Sequence, residues 1–117
     1  MDDPASFLPL SLHQFHILLA LTDHDRHGYA VIRDVEERTG GTLRLGTGTL
    51  YPAVARLVEL GLIVDTGRAD ERRRYYRLTP LGRAVLKAET TRLEAMVRYA
   101  RSRGVRPDPV PALPRRS

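Results

Sequence analysis

Apolar residues surround almost the whole circumference of a helix predicted over residues 11–22. At about 100° per residue, bulky apolar side chains fall on two opposite sides of this helix. A helix that is apolar on both sides is buried on both sides. In a chain of 117 residues we expect one of these sides to contact a second copy of the chain. The candidates for that interface are Leu12, Ile17, Leu18 and Leu21.

Two further helices follow in the first half of the chain. Apolar positions at helical spacing predict one helix over residues 29–39, which the glycines at positions 40 and 41 would end. Residues 42–45 alternate in polarity and are interpreted as a minor strand. The next helix is predicted over residues 49–60.

Two runs rich in β-branched and aromatic residues, 62–68 and 73–79, come next. The link between them, ADER, is short and polar. This combination predicts a β-hairpin.

The last helix begins at Thr79 and Pro80, which suit the N-cap and the first helical position. It is expected to extend to about Arg103. Its apolar side chains point in two directions about 100° apart, so one surface cannot cover both. The first set is expected to pack on its own domain: Leu81, Ala84, Val85 and Ala88. The second set is expected to contact a partner subunit: Leu86, Leu93, Met96, Val97 and Ala100.

The order of these elements indicates a mainly α fold with a small β-hairpin. Three helices followed by a hairpin form a winged helix-turn-helix, here predicted over residues 8–79. Residues 80–103 are expected to form a C-terminal dimerisation helix. Residues 104–117 are rich in proline, lack periodicity and are predicted to be disordered.

Positive charge is concentrated in the middle of the chain and in its tail. The formal net charge is +5, and residues 44–83 carry eight arginines against four acidic residues. Arginine binds phosphate oxygens through its planar fork, and clustered arginines indicate a nucleic-acid partner.

The sequence GTGTLYP at residues 46–52 is a poor start for a helix that only has to be stable. In a helix-turn-helix, this helix enters the major groove, where its first residues reach the bases. Glycine removes bulk there, and threonine hydroxyls can cap the helix or donate to phosphate. The predicted DNA contacts of this helix are Thr47, Thr49, Tyr51 and Arg56. The alternative is an ordinary loop and cap, with Tyr51 packed against the domain.

Three adjacent arginines, Arg72, Arg73 and Arg74, fall at the tip of the hairpin or at the start of its second strand. Such a run is often only a solvated turn. A wing that follows a recognition helix, however, lies close to the DNA backbone and the minor groove. These three arginines are therefore predicted to contact DNA.

Three segments resemble the PadR-like transcriptional regulators: HGYAVIRDVEERTGG (27–41), GTLYPAVARLVELGLI (48–63) and RRRYYRLTPLGRAVL (72–86). The resemblance implies a homodimeric winged-helix protein, usually a repressor, whose dimer is built by the first and last helices. It also implies recognition-helix contacts at Thr47, Thr49 and Tyr51, and wing contacts at Arg73 and Arg74. Some relatives bind flat aromatic molecules between tryptophans, and the chain contains no tryptophan for that mode.

Other chemistries find little support in the sequence. The histidines at positions 13, 16, 24 and 27 invite a metal site. His13 and His16, however, more often cap a helix or line a packed interface, and DHDRH (23–27) is a plausible polar turn, so we expect no metal and no cofactor. No catalytic motif is recognisable, and no apolar run is long enough to span a membrane. The absence of cysteine fits a cytoplasmic protein.

These observations predict a transcriptional regulator that binds a pseudo-palindromic operator in double-stranded DNA as a homodimer. It is expected to act as a repressor that responds to an unknown small-molecule inducer. The alternative is a winged-helix module that binds another protein and not DNA. Bulky apolar residues at positions 52, 55, 56 and 59 would favour that alternative, whereas the sequence has Pro, Ala, Arg and Glu there.

Overall fold

The computed structural model describes residues 3–109. A short 3-10 helix, Pro4–Phe7, precedes four α-helices and three strands. The elements are α1 (Leu12–Ala20), β1 (Arg26–His27), α2 (Gly28–Arg38), α3 (Thr47–Glu59), β2 (Ile63–Asp70), β3 (Arg73–Leu78) and α4 (Pro80–Ser102). The four predicted helices are thus confirmed to within about two residues at each end. Of the tail predicted to be disordered, residues 105–109 contain no helix or strand, and residues 110–117 lie outside the described residues.

The starts of three helices are fixed by side chains that accept hydrogen bonds from backbone N–H groups. Ser11 accepts from the N–H of Gln14, whose side chain accepts in return from the Ser11 N–H, a capping box. His27 accepts from the N–H of Ala30 at the start of α2. Thr79 accepts from the N–H of Gly82 at the start of α4, as its sequence predicts.

The sheet is antiparallel with the strand order β1-β3-β2. The hairpin of β2 and β3 is confirmed, but its turn is tighter than the four-residue link predicted. Asp70 pairs with Arg73, so the turn consists of Glu71 and Arg72, both with positive φ (49° and 68°). Positive φ at both central residues gives the turn a twist that matches the paired strands.

The prediction of a minor strand over residues 42–45 is wrong, since this segment contains no strand. The additional strand is β1, in which Arg26 pairs with Tyr76 and His27 with Tyr75. A two-residue strand carries no alternation of its own, so the sequence indicated only a polar turn there. This pairing attaches the start of α2 to the wing.

The core lies between the three N-terminal helices, the base of the hairpin and the first half of α4. Ile17, Leu18 and Leu21 are at most 3% exposed within one chain, and Leu86 is 5% exposed. Their prediction as partner-contacting residues is therefore wrong. Because α1 packs against α2, α3 and α4 of its own chain, it is buried on several sides without a second copy.

The other predicted interface residues are accessible to a partner. Leu12 is 60% exposed, and Met96 and Val97 are each about half exposed, while Leu93 and Ala100 are half-buried. The second half of α4 therefore leaves an apolar surface unpaired by the described part of the chain.

The N-terminal segment is attached to α4 through a buried carboxylate. Glu89 is only 2% exposed and accepts a hydrogen bond from the backbone N–H of Leu10 at 2.9 Å. The guanidinium of Arg92 donates to the same carboxylate. These hydrogen bonds hold the pKa of Glu89 below its usual value, with the Arg92 bond the largest cause and the Leu10 bond a smaller one.

Candidate nucleic-acid interface

The start of α3 differs from those of the other α-helices because no side chain caps it. Its N-cap is Gly46, which has no side chain to accept a hydrogen bond. Thr47 and Thr49 are the first and third residues of the helix, so neither hydroxyl caps it. Both threonines are exposed, and their hydroxyls remain available to a ligand.

The glycines at this helix start have no role in the packing of the chain. A Cβ added at Gly46 or Gly48 would meet nothing within 4 Å. Gly46 has φ of −81°, which any residue adopts readily. Pro52 lies in the second turn, as the sixth residue of the helix. It has no N–H to bond with the carbonyl of Gly48, so this helix start loses one backbone hydrogen bond.

Tyr51 lies against the start of α2. A Cβ at Gly28 would fall 2.8 Å from the Tyr51 hydroxyl oxygen and 3.1 Å from the Leu50 side chain, so glycine at position 28 makes room for both. The tyrosine nevertheless remains 47% exposed. Tyr51 is therefore both packed against the start of α2 and accessible to a ligand.

A cleft of about 520 Å³ separates the wing from the starts of α2 and α3. We call it the wing cleft. It is formed mainly by His27, Tyr51, Arg72, Arg73, Arg74 and Tyr76. Four of the predicted DNA contacts thus lie together, one from α3 and three from the wing. The remaining three, Thr47, Thr49 and Arg56, lie outside this cleft on the exposed surface of α3.

Several of the basic side chains near this surface already have partners. Arg74 donates to Asp65 at 3.2 Å, and Arg56 pairs with Glu59 at 3.4 Å on the surface of α3. Arg77, which extends from β3, forms a two-pronged hydrogen bond with Asp25 at 2.8 and 3.1 Å. This bond lowers the pKa of the Asp25 carboxyl and fixes the loop before β1 to the wing.

A bulge in β2 shapes the far side of the wing. Gly67 has φ of +80°, and the register between the strands shifts between Asp65 and Ala69. The bulge brings the guanidinium of Arg68 to 3.9 Å from the centre of the Tyr75 ring, a cation–π contact. The Tyr75 ring also contacts the ring of His27 in a T-shaped arrangement, with the ring centroids 5.3 Å apart.

His27 is the residue of this region that sequence reasoning missed. Its sequence context indicates only a candidate metal ligand or part of a polar turn, because histidine is not among the usual helix-capping residues. In the structure it caps α2, pairs with β3 and lines the wing cleft. The one sequence signal for its capping role is its position directly before Gly28, where α2 begins.

The histidines do not form a metal site in the part of the chain that is described. No group of three potential ligands is found among residues 3–109. His16 instead contacts Arg38, whose guanidinium lies 3.1 Å from Nδ1 and donates to the His16 carbonyl at 3.0 Å. Burial, with the positive charge of Arg38 as the next cause, lowers the pKa of His16.

Three helices followed by an arginine-bearing hairpin define a winged helix-turn-helix protein, with α3 in the position of the recognition helix. The family model described as "Transcriptional regulator PadR-like family" matches residues 17–88, and the chain belongs to that family. It is therefore a DNA-binding transcriptional regulator and not an enzyme. Within residues 3–109, no helix combines the length and apolarity required to cross a membrane.

Individual relatives agree with this assignment. The chain is 40% identical over 87 residues to "Transcriptional regulator Rv3488" of Mycobacterium tuberculosis, covering 73% of this chain and 78% of the relative. It is 42% identical over 76 residues to an uncharacterised 37.1 kDa protein in transposon TN4556 of Streptomyces fradiae, covering 65% of this chain and 21% of that longer relative. A solved transcriptional regulator from Clostridium thermocellum superposes with a TM-score of 0.67 at 28% identity, covering 78% of this chain and 90% of the other.

Proposed function

We propose that this protein is a repressor that binds a pseudo-palindromic operator as a homodimer. In this arrangement α3 enters the major groove and the wing follows the adjacent backbone. The proposed contacts are those predicted from sequence: Thr47, Thr49, Tyr51, Arg56, Arg72, Arg73 and Arg74. Response to a small-molecule inducer is proposed on the family resemblance alone.

The proposal is carried by the position of α3 next to the arginines of the wing. The start of α3 has no side-chain cap and its glycines meet nothing in the chain, while Tyr51 of the same helix lines a cleft together with the arginines of the wing. The fold gains nothing from those glycines, whereas close approach of a DNA backbone requires the clearance they give. The exposed residues at positions 52, 55, 56 and 59 include no bulky apolar side chain, which favours DNA over a protein partner.

The homodimer is supported by the exposed apolar surface of α4. Met96 and Val97 are about half exposed, and Leu12 from α1 is 60% exposed. Exposed apolar side chains grouped on one helix indicate an interaction surface. Two copies joined through this surface would place two α3 helices on successive major grooves, so we expect half-sites about one helical turn apart.

The test begins with selection of duplexes from a random library by the purified protein, followed by footprinting of the enriched sequence. We expect a protected two-fold symmetric site, and affinity that falls steeply with salt as counterions are released from phosphates. Tyr51→Phe and Arg72→Gln should weaken binding, while Lys87→Gln, at an exposed position of α4 away from the proposed interface, should leave it unchanged. Failure to enrich any sequence would refute operator binding. If an operator is enriched, a reporter gene placed behind it distinguishes repression from activation.

A further inference from the structure

The ring of His27 can exist in only one neutral form in this structure. Its Nδ1 accepts the hydrogen bond from the Ala30 backbone N–H at 3.1 Å, which caps α2. A nitrogen that accepts this bond carries no proton, and a neutral imidazole carries its single proton on the other nitrogen. Nε2 is therefore an N–H donor.

The ring is held in this neutral form by its surroundings. Burial lowers the pKa of His27, and the positive charges of Arg73 and Arg68 lower it further, while the nearby carboxylate of Asp70 acts in the opposite direction. Protonation of Nδ1 would also break the capping bond to Ala30. At neutral pH His27 is accordingly an uncharged donor.

The Nε2 donor of His27 faces a second donor. The Nη1 atom of Arg73 lies 3.5 Å from it, and a guanidinium has donors only. The two groups therefore cannot bond to each other, although their distance is within the range of a long hydrogen bond. Two donors at this separation can both reach one acceptor oxygen placed about 2.9 Å from each.

The wing cleft around these donors has the character of an anion site. Both groups line it, together with Arg72, Arg74 and the hydroxyl-bearing ring of Tyr51. Its lining, within the described residues, includes no carboxylate. Arg72 and Arg73 form no salt bridge in the described part of the chain, so their charges are not neutralised there. An oxygen that enters the cleft meets converging donors and uncompensated positive charge.

We propose that the wing cleft holds a DNA backbone phosphate, with one of its oxygens accepting from both the Nε2–H of His27 and the guanidinium of Arg73. This inference rests on the proposed function, since it takes the phosphate to belong to a duplex. The cleft opens between the start of the recognition helix and the wing, where the backbone runs when the two elements occupy neighbouring grooves. His27 would thus join the wing to α2 and also donate a hydrogen bond to the DNA backbone.

The decisive variant is His27→Asn. Asparagine is as good a helix cap as any residue, so its side-chain oxygen can replace Nδ1 at the start of α2. Its shorter side chain does not reach the position of Nε2, and the donor in the cleft is lost. Thermal unfolding by circular dichroism checks that the fold is retained, and His27→Ala shows the effect of losing cap and donor together.

Binding is measured by fluorescence anisotropy with an arbitrary duplex at low salt and with the selected operator. A phosphate contact is common to all sequences, so His27→Asn should weaken both by a similar factor, about five- to tenfold. Arg73→Gln should also reduce the slope of log affinity against log salt concentration by about 0.9, because one positive charge that neutralises a phosphate is lost. His27→Asn should leave this slope unchanged, because His27 is neutral. The two losses should be non-additive in the double variant, since both donors hold one oxygen.

Nitrogen-15 NMR of the histidine rings gives an independent measurement. The free protein should show His27 protonated on Nε2, and the duplex should shift this nitrogen while the three other histidines serve as internal references. Unchanged affinity of His27→Asn together with an unshifted His27 ring, in a wild-type protein that binds duplex, would overturn the inference alone. Absence of duplex binding by the wild type would overturn the proposed function with it.

Inorganic phosphate at constant ionic strength distinguishes the source of the oxygen. We expect it to shift the His27 ring only weakly, since the wing arginines and α3 gain their other contacts from the duplex. A full shift with free phosphate, accompanied by equal binding of duplex to wild type and His27→Asn, would assign the cleft to a small anion and overturn the assignment to DNA.

Discussion

Replacing Gly48 by alanine separates what the helix start contributes to stability from what it contributes to DNA binding. Gly48 is the second residue of α3, and an added Cβ would meet no atom of the chain within 4 Å. Glycine within a helix costs about 0.5–1 kcal/mol relative to alanine. We therefore expect Gly48→Ala to raise the free energy of unfolding by up to this amount, and the midpoint temperature by about 2–5 °C.

DNA binding should change in the opposite direction. If the backbone of the duplex approaches the start of α3 closely, the new methyl group occupies space that the phosphate needs. Overpacking of a close interface costs about 1–3 kcal/mol, which corresponds to a loss of affinity of roughly five- to 150-fold. An operator duplex of about 24 base pairs, long enough for two half-sites, serves as the probe in anisotropy titrations.

Thr91→Ala is a suitable control, because it also exchanges a weak helix former for alanine at an exposed position of α4. It should be slightly more stable and bind DNA as the wild type does. The reasoning fails if Gly48→Ala binds DNA with undiminished affinity, since the glycine would then provide no clearance. It also fails if Gly48→Ala is less stable than the wild type, since the fold would then need the glycine after all.

Three other substitutions test the remaining parts of the structure. Gly82→Ala should destabilise the fold by about 2–4 kcal/mol in urea unfolding, because its Cβ would lie 2.0 Å from the Leu62 carbonyl oxygen, and a variant as stable as the wild type would contradict this close approach. Glu89→Gln should remove part of the fall in the free energy of unfolding at low pH. Because the pKa of Glu89 is lowered in the folded state, its carboxylate stabilises the fold above about pH 4.5, and this contribution is lost as the pH falls through the folded-state pKa. The urea midpoints of wild type and variant should thus converge from pH 7 towards pH 3, and a constant difference would exclude this carboxylate as the cause. Val97→Asp should yield monomers in light scattering by placing a charge on the apolar surface of α4, while Thr91→Asp should remain dimeric; a dimeric Val97→Asp would remove this surface from the interface.

The elements of the fold were predictable because each carries a local signal. Helix periodicity, the Thr79-Pro80 start and the two β-rich runs depend on residues close together in the chain, and all were confirmed. Strand β1 was not predictable, since its pairing of Arg26 and His27 is made with residues about 50 positions later. The contacts of such a short strand leave no alternating pattern in its own sequence.

The assignment of Ile17, Leu18 and Leu21 of α1 to a partner interface failed for a related reason. A helical wheel shows how many sides of a helix are apolar, but it does not show which elements cover them. In this chain α2, α3 and α4 cover α1, so Ile17 and Leu18 are completely buried without a second copy. The prediction that Met96 and Val97 of α4 contact a partner stays a prediction. The second half of α4 extends beyond the core, and both side chains are about half exposed in the described chain.

The pairing of individual arginines, and not the net charge, decides which of them can contact a ligand. The net charge of +5 indicates a polyanionic partner, but several of the cations are held by carboxylates: Arg26 and Arg38 by Asp34, Arg77 by Asp25 and Arg92 by Glu89. Because these arginines are paired within the fold, they have less charge to offer a ligand. Arg72 and Arg73, in contrast, form no salt bridge within residues 3–109; Arg72 lies in the hairpin turn and Arg73 begins β3. The positive charge that we propose contacts phosphate therefore lies at the wing tip, beside the Nε2 donor of His27 and close to Tyr51 of α3.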